Sequence, residues 1–201
     1  MVAMDWDSLA GLLDIPYEER EEIRTNYAKY PDSPSKAEEV LNHFNGSDCF
    51  GRDIFGKCVD ELGRHDLIKK LHLMEDEDEE ALGDKWKEKT ALEINANNGV
   101  TNEEIPPESQ PLSPREMYRL SRRIAVDWDS LAGLMDIAKE ERDDIRRNIR
   151  IYHDNRSQAE KILSIFNRRR DFSRKKLIEC LKELKKIDII RPIVTGEWKD
   201  L

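Results

Sequence analysis

Asp5-Trp6-Asp7-Ser8-Leu9-Ala10-Gly11-Leu12-Leu13-Asp14-Ile15 returns as Asp127-Trp128-Asp129-Ser130-Leu131-Ala132-Gly133-Leu134-Met135-Asp136-Ile137. Held without a gap from residue 5 to residue 68, the offset of 122 residues pairs 31 identical residues in 64, among them Phe44 with Phe166, Phe50 with Phe172 and Cys58 with Cys180. Solenoid repeats have periods of roughly 20–50 residues, so a repeat this long predicts two whole domains, each with its own core.

The periodicity inside each copy is helical. Trp128, Leu131, Ala132 and Met135 fall at the spacing of one buried helical stripe after Asp127, which is placed to cap it. Ser113-Pro114-Arg115-Glu116 combines an N-cap serine, a proline in the first turn and a glutamate three residues after the cap. A helix carrying Met117, Leu120 and Ile124 is predicted to follow. A third helix is expected from about Lys139 to Ile151, with Ile145 and Ile149 inward. A fourth is expected from about Asn155 or Ser157, with Ser157 and Glu160 as its box, and the same signal stands at Ser35 and Glu38. The fifth follows Ser173, and a short sixth carries Ile189 and Ile190. In the first copy, Gly63 is placed to end the Ile54 to Leu62 helix in the left-handed conformation. No sustained two-residue alternation occurs, so the fold class expected is all-α. Trp6, Leu9, Leu41 and Phe44, with Trp128, Leu131, Leu163 and Phe166, are the expected core.

The organisation read from these signals is a first copy at 1–73, a linker at 74–112, a second copy at 113–193 and a tail at 194–201. The linker contains the acidic run Glu75 to Glu80 and Pro106, Pro107 and Pro111, which forbid a continuous helix. Leu82 and Trp86 stand out in it and suggest a short helix over 79–90 lying on the first copy. Met1 aligns with Arg123, so the first copy begins after the position of the Ser113 to Ile124 helix. Either the chain is part of something longer or another segment fills that groove.

Net charge separates the parts. Residues 5–73 carry −6, residues 74–111 carry −9 and residues 112–201 carry +6, within a total of −9. The copies keep one apolar framework and differ in surface charge, where partners are chosen. At 38% charged residues and a mean hydropathy of −0.78, the chain shows no apolar run long enough for a membrane span and no secretory signal, and a cytoplasmic location is expected. The three cysteines lack metal or redox spacing, and Cys58 and Cys180 repeat as small core residues. His43, His65, His72 and His153 are scattered and unmatched between copies. No phosphate loop, nucleophile elbow or zinc-protease motif is present, so no enzyme, metal or cofactor is expected.

The residues Trp6-Asp7-Ser8-Leu9-Ala10 with Leu13-Asp14-Ile15, Ser35-x-Ala37-x-x-x-Leu41-x-x-Phe44 and Leu62-Gly63-Arg64-x-Asp66-Leu67, with their counterparts over 128–190, resemble the death-domain superfamily. The resemblance covers 1–73 and 113–193 and is closer to true death domains than to death-effector or caspase-recruitment domains. Both copies have phenylalanine where tryptophan is common at the end of the fourth helix. It implies two six-helix antiparallel death-fold bundles, the first without its first helix, joined by the acidic linker. It also implies a non-enzymatic adaptor in cell-death or innate-immune signalling that binds death-domain proteins of receptor, adaptor, kinase or caspase complexes and self-associates.

Partner binding is expected on Asp7, Asp14, Glu18, Glu19 and Glu22 of the first copy. On the second it is expected on Arg146, Arg147 and Arg150 and on Arg168, Arg169, Arg170, Arg174, Lys175 and Lys176. The rival reading is nucleic-acid binding through the latter cluster, with Phe172 among the cations. Phe50 at the same place in the acidic copy and the negative total charge argue against it.

Overall fold

The computed structural model describes residues 5–47, 50–68 and 109–198. Four helices of the first copy return in the second at the 122-residue offset, to the residue at both ends. They are α1 (Trp6–Leu12), α2 (Tyr17–Thr25), α3 (Ser33–Asn45) and α4 (Arg52–Glu61). After α5 (Pro114–Ile124) their counterparts are α6 (Trp128–Leu134), α7 (Lys139–Arg147), α8 (Asn155–Asn167) and α9 (Arg174–Glu183), followed by a 3-10 turn at Ile187–Ile189 and α10 (Ile190–Thr195). A helical turn at 65–68 closes the described part of the first copy. No strand occurs among the described residues, so they are all-α. The proposed 79–90 helix, most of the linker and Cys49 lie outside them.

The local chemistry of the turns repeats as well. Asp14 and Asp136 hold positive φ of 64° and 57°, and Gly63 and Lys185 hold 71° and 58°. Aspartate tolerates this left-handed region and glycine occupies it freely, whereas Lys185 is strained there, so the backbone turn outlives the residue that suits it.

Several sequence expectations about helix ends are corrected. The caps of α3 and α8 are Asp32 and Asp154, which accept from the backbone N–H of Ser35 and Ser157 while those serines reach back to complete the box. Asp-x-x-Ser therefore outcompetes the Ser-x-x-Glu reading one turn later, because an ionised carboxylate is the stronger acceptor. Asp127 is the N-cap of α6, but its side chain makes no cap bond and pairs instead with Lys186 at 2.7 Å. The third helix of the second copy stops at Arg147, and the turn that follows leaves Ile149 67% exposed while Ile145 is buried.

Two cores form, one per copy. Trp6, Leu9 and Phe44 are buried in the first and Trp128, Leu131, Leu163 and Phe166 in the second. Phe44 and Phe166 keep equivalent neighbours, with ring centroids 5.4 Å from Phe50 and 5.3 Å from Phe172. Leu41 departs from expectation: it is half-buried, whereas Leu163 is fully buried. The cause is α5, which lies along α8 and has no counterpart on α3 among the described residues.

Helix α5 has two faces. Met117, Leu120 and Ile124 enter the second core, while Tyr118 enters the first, packed on α1. In exchange, Tyr17 of the first copy is buried in the second core. Leu112, within the expected linker, is also buried there, and its N–H donates to Asn167 Oδ1 at 2.7 Å.

Candidate interaction surface

Helices α1 and α2 of the first copy meet α5 and α8 of the second through ionised side chains that the sequence places far apart. Arg20, three residues before Ile23 and three after Tyr17, shares the buried stripe of α2 and is 0% exposed. It donates to Ile15 O at 3.1 Å and to Glu160 Oε1, which is itself fully buried. Asp7 on α1 accepts from Arg24 Nη2 and from Arg156 Nη2, each at 2.7 Å, and Arg156 also reaches Glu160 Oε2 at 3.3 Å. Three guanidinium groups thus surround two carboxylates. Burial raises the Asp7 carboxyl, but Arg24, Arg156 and Arg20 together outweigh it and hold it well below the carboxylate range.

Around this buried centre lies a second set of contacts. Glu21 accepts from Lys161 Nζ at 2.8 Å and from Tyr152 Oη at 2.7 Å. Burial raises its carboxyl, and those two hydrogen bonds bring it down below the ordinary value. Arg168 Nε lies 3.2 Å from Glu18, an exposed pair worth about 0–1 kcal/mol. Along α5, Arg115 donates to Leu12 O at 2.8 Å and its backbone N–H to Asp14 Oδ1 at 2.9 Å. Arg119 clasps Glu61 at 2.7 and 3.1 Å. The Tyr118 ring lies against α1 because position 11 is glycine: a Cβ there would stand 2.9 Å from the ring.

Of the acidic candidates, Asp7, Asp14 and Glu18 lie in this contact; Glu19 sits beside His43 at 3.2 Å and Glu22 is exposed. Of the basic ones, among the described residues, Arg168 pairs through its side chain with the first copy, and the Arg150 backbone O accepts from Tyr27 Oη at 3.5 Å. Arg146 bonds Asp143 and Asp129, Arg147 bonds Asp144, and Arg150 is exposed. Arg174 is not a surface residue: it is 7% exposed and forks onto Glu116 with two bonds of 2.8 Å, fixing α5 to α9. Arg169 donates to Met135 O and Asp136 O, and Lys176 pairs with Asp136 at 3.0 Å. Arg170 and Lys175 are exposed. Of the six cations read as a phosphate-neutralising cluster, Arg168, Arg169, Arg174 and Lys176 are thus committed to contacts with other helices and turns, and Phe172 is a buried packing residue.

The residues that sequence reasoning missed are Arg20, Arg24, Glu21, Arg156, Glu160 and Lys161. Arg20 and Arg24 repeat as Arg142 and Arg146, and so read as framework. The second copy shows what they do without a partner. Asp129 is bonded by Arg142 at 3.1 Å and Arg146 at 3.0 Å, the same triad as Asp7, Arg20 and Arg24, with the Asp129 and Arg146 side chains 45% and 50% exposed. One face thus occurs twice, covered by the other copy in one case and, among the described residues, uncovered in the other.

Among the described residues no cluster of His, Cys, Asp and Glu is placed to hold a metal, and no helix is long and apolar enough to cross a membrane. No family model matches the chain, and neither curated proteins nor solved structures provide a significant match.

Proposed function

We propose that the chain is a non-enzymatic signalling adaptor built from two death domains, the first lacking its first helix, which assembles with other death domains through charged helix faces. The observation that supports this reading is the repeated Asp-Arg-Arg face. In the first copy it is covered by the α8 stretch Arg156-x-x-x-Glu160-Lys161, and in the second copy Asp129 and Arg146 lie open among the described residues, with Arg142 half-buried beneath them. The contact is heterologous, joining unlike faces of two similar units, so it leaves one face of each kind unoccupied.

The covered face indicates what the open one takes: a helix presenting Arg-x-x-x-Glu. The chain's own first copy suits it poorly, because Glu39 stands where Lys161 does and would meet Asp143, the counterpart of Glu21. The second copy's α8 is already in use, so self-association through this face requires the intrachain pair to open. The favoured partner is a death domain of another protein in a cell-death or innate-immune complex, in the cytoplasm.

Binding of the purified chain to isolated death domains of receptor, adaptor and kinase origin tests this, measured by biolayer interferometry at two salt concentrations. Binding should weaken above roughly 0.15 M salt, where the screening length is about 8 Å, and Arg142→Glu with Arg146→Glu should abolish it. Binding that ignores the reversal, or no binding to any death domain, would refute the adaptor reading.

A further inference from the structure

Between the two copies lies a cleft of about 370 Å3, within the size range of small-molecule sites. Its walls carry Arg24 and Lys36 from the first copy and Arg150, His153 and Arg156 from the second. The acids there are already engaged, Asp7 with two of the cleft's own cations. Asp5 pairs with Arg64 at 2.9 Å, Asp7 with Arg24 and Arg156 at 2.7 Å, and Asp154 accepts from the Ser157 N–H at 2.7 Å.

Lys36 is the unusual member. It is only 9% exposed, and its ammonium lies 4.8 Å from the centroid of Tyr27 and 5.5 Å from that of Trp6. It donates one hydrogen bond, to Arg24 O at 3.2 Å, and has no carboxylate partner among the described residues. The aromatic faces and the more distant Asp7 carboxylate offset part of the cost of burying the charge, but a sequestered ammonium with no carboxylate within ion-pair distance remains costly. Burial, then the neighbouring Arg24, push it below the usual lysine range. On the second copy's side of the cleft, the Arg150 side chain also lacks a hydrogen bond or ion pair among the described residues.

We propose that this cleft binds the phosphate of a small soluble molecule, held between Lys36 of the first copy and Arg150 of the second. A carboxylate brings one negative charge. The cleft presents two cations with no carboxylate within ion-pair distance among the described residues, beside a network in which three guanidinium groups meet two carboxylates, so a phosphate dianion with three acceptor oxygens fits the demand better. The Ser8 and Ser33 hydroxyls, also on the wall, supply neutral donors. Because its ligands come from both copies, bound phosphate stabilises their docked arrangement by mass action, whatever the outer faces recruit.

The experiment is calorimetric titration and thermal melting of the full chain with inorganic phosphate and with pyrophosphate, against sodium chloride at equal ionic strength. Saturable binding and a raised melting temperature with phosphate or pyrophosphate, but not chloride, are expected. Lys36→Met keeps the buried stem, and Arg150→Gln lies on the surface and leaves the fold intact. Each should weaken binding about tenfold or more, the scale of one charge-assisted hydrogen bond. Equal responses to phosphate and chloride, or binding unchanged in Arg150→Gln, would overturn the site. A parallel arm uses phosphatidylcholine vesicles with and without a phosphoinositide: retention on the phosphoinositide vesicles without binding of soluble phosphate would also overturn it.

Discussion

The carboxylate of Asp7 stands 2.7 Å from Arg24 of its own copy and 2.7 Å from Arg156 of the other, whereas Asp129, its counterpart, meets Arg142 and Arg146 of its own copy and, among the described residues, no cation of the other. Removing one partner of a buried ion cluster leaves the others uncompensated, at a cost of about 3–5 kcal/mol. Asp7→Asn should therefore lower the urea midpoint of the chain sharply. Asp129→Asn, at a carboxylate 45% exposed, should cost about 1 kcal/mol. Equal effects of the two would show that the copies do not dock through Asp7.

Glycine at 11 and glycine at 133 should respond to alanine with opposite sign. A Cβ at 11 would stand 2.9 Å from the Tyr118 ring, so Gly11→Ala forces the ring or α5 to shift, at about 1–3 kcal/mol. At 133 the nearest atom is the end of Arg142 at 3.5 Å, an ordinary contact. There the helical preference for alanine should add up to about 1 kcal/mol. Thermal melts of the two single variants decide it.

Asp7 and Glu21 both titrate below their ordinary values in the folded chain. Unfolded carboxyls titrate near about 4, so the stability these groups add is fully present above that pH and is lost as pH falls through their lower folded values. Denaturation midpoints should be flat with respect to these two groups from about pH 7 to pH 5 and fall below about pH 4. In Asp7→Asn the acid limb should be shallower.

Cys58 is fully buried, and burial pushes its thiol up to about 11. The thiolate is the reactive form, so iodoacetamide at neutral pH should label Cys58 only when urea is added. Mass spectrometry of the peptide containing Cys58 provides the measurement. Rapid labelling of the native chain would mean that the first core opens readily.

The helices were legible because Trp6, Leu9 and Phe44 recur with helical spacing at a fixed offset, and a core position is specified by its own apolar side chain. The docking of the copies was not legible, for a related reason. Gly11 and Gly133 are identical, as are Arg20 and Arg142, yet one of each pair lies in a contact and the other does not. Identity across the repeat conceals that difference. The available signal lay in what had diverged opposite them: Arg156 against Pro34 and Lys161 against Glu39. Ile149 misled through composition, since an isoleucine at inward spacing carries no notice that the helix has already ended at Arg147.

The heterologous contact through Asp7 and Arg156 also fixes a count. Joining two units by unlike faces consumes one face of each kind and leaves one of each. On the proposed reading of these faces as binding sites, the docked pair has the valence of a single unit, and duplication has not multiplied them. What it has changed is their character: the surviving Asp-Arg-Arg face belongs to the basic copy, and the surviving helix, with Glu38 and Glu39, belongs to the acidic one. A chain of this kind has two ends that cannot be exchanged.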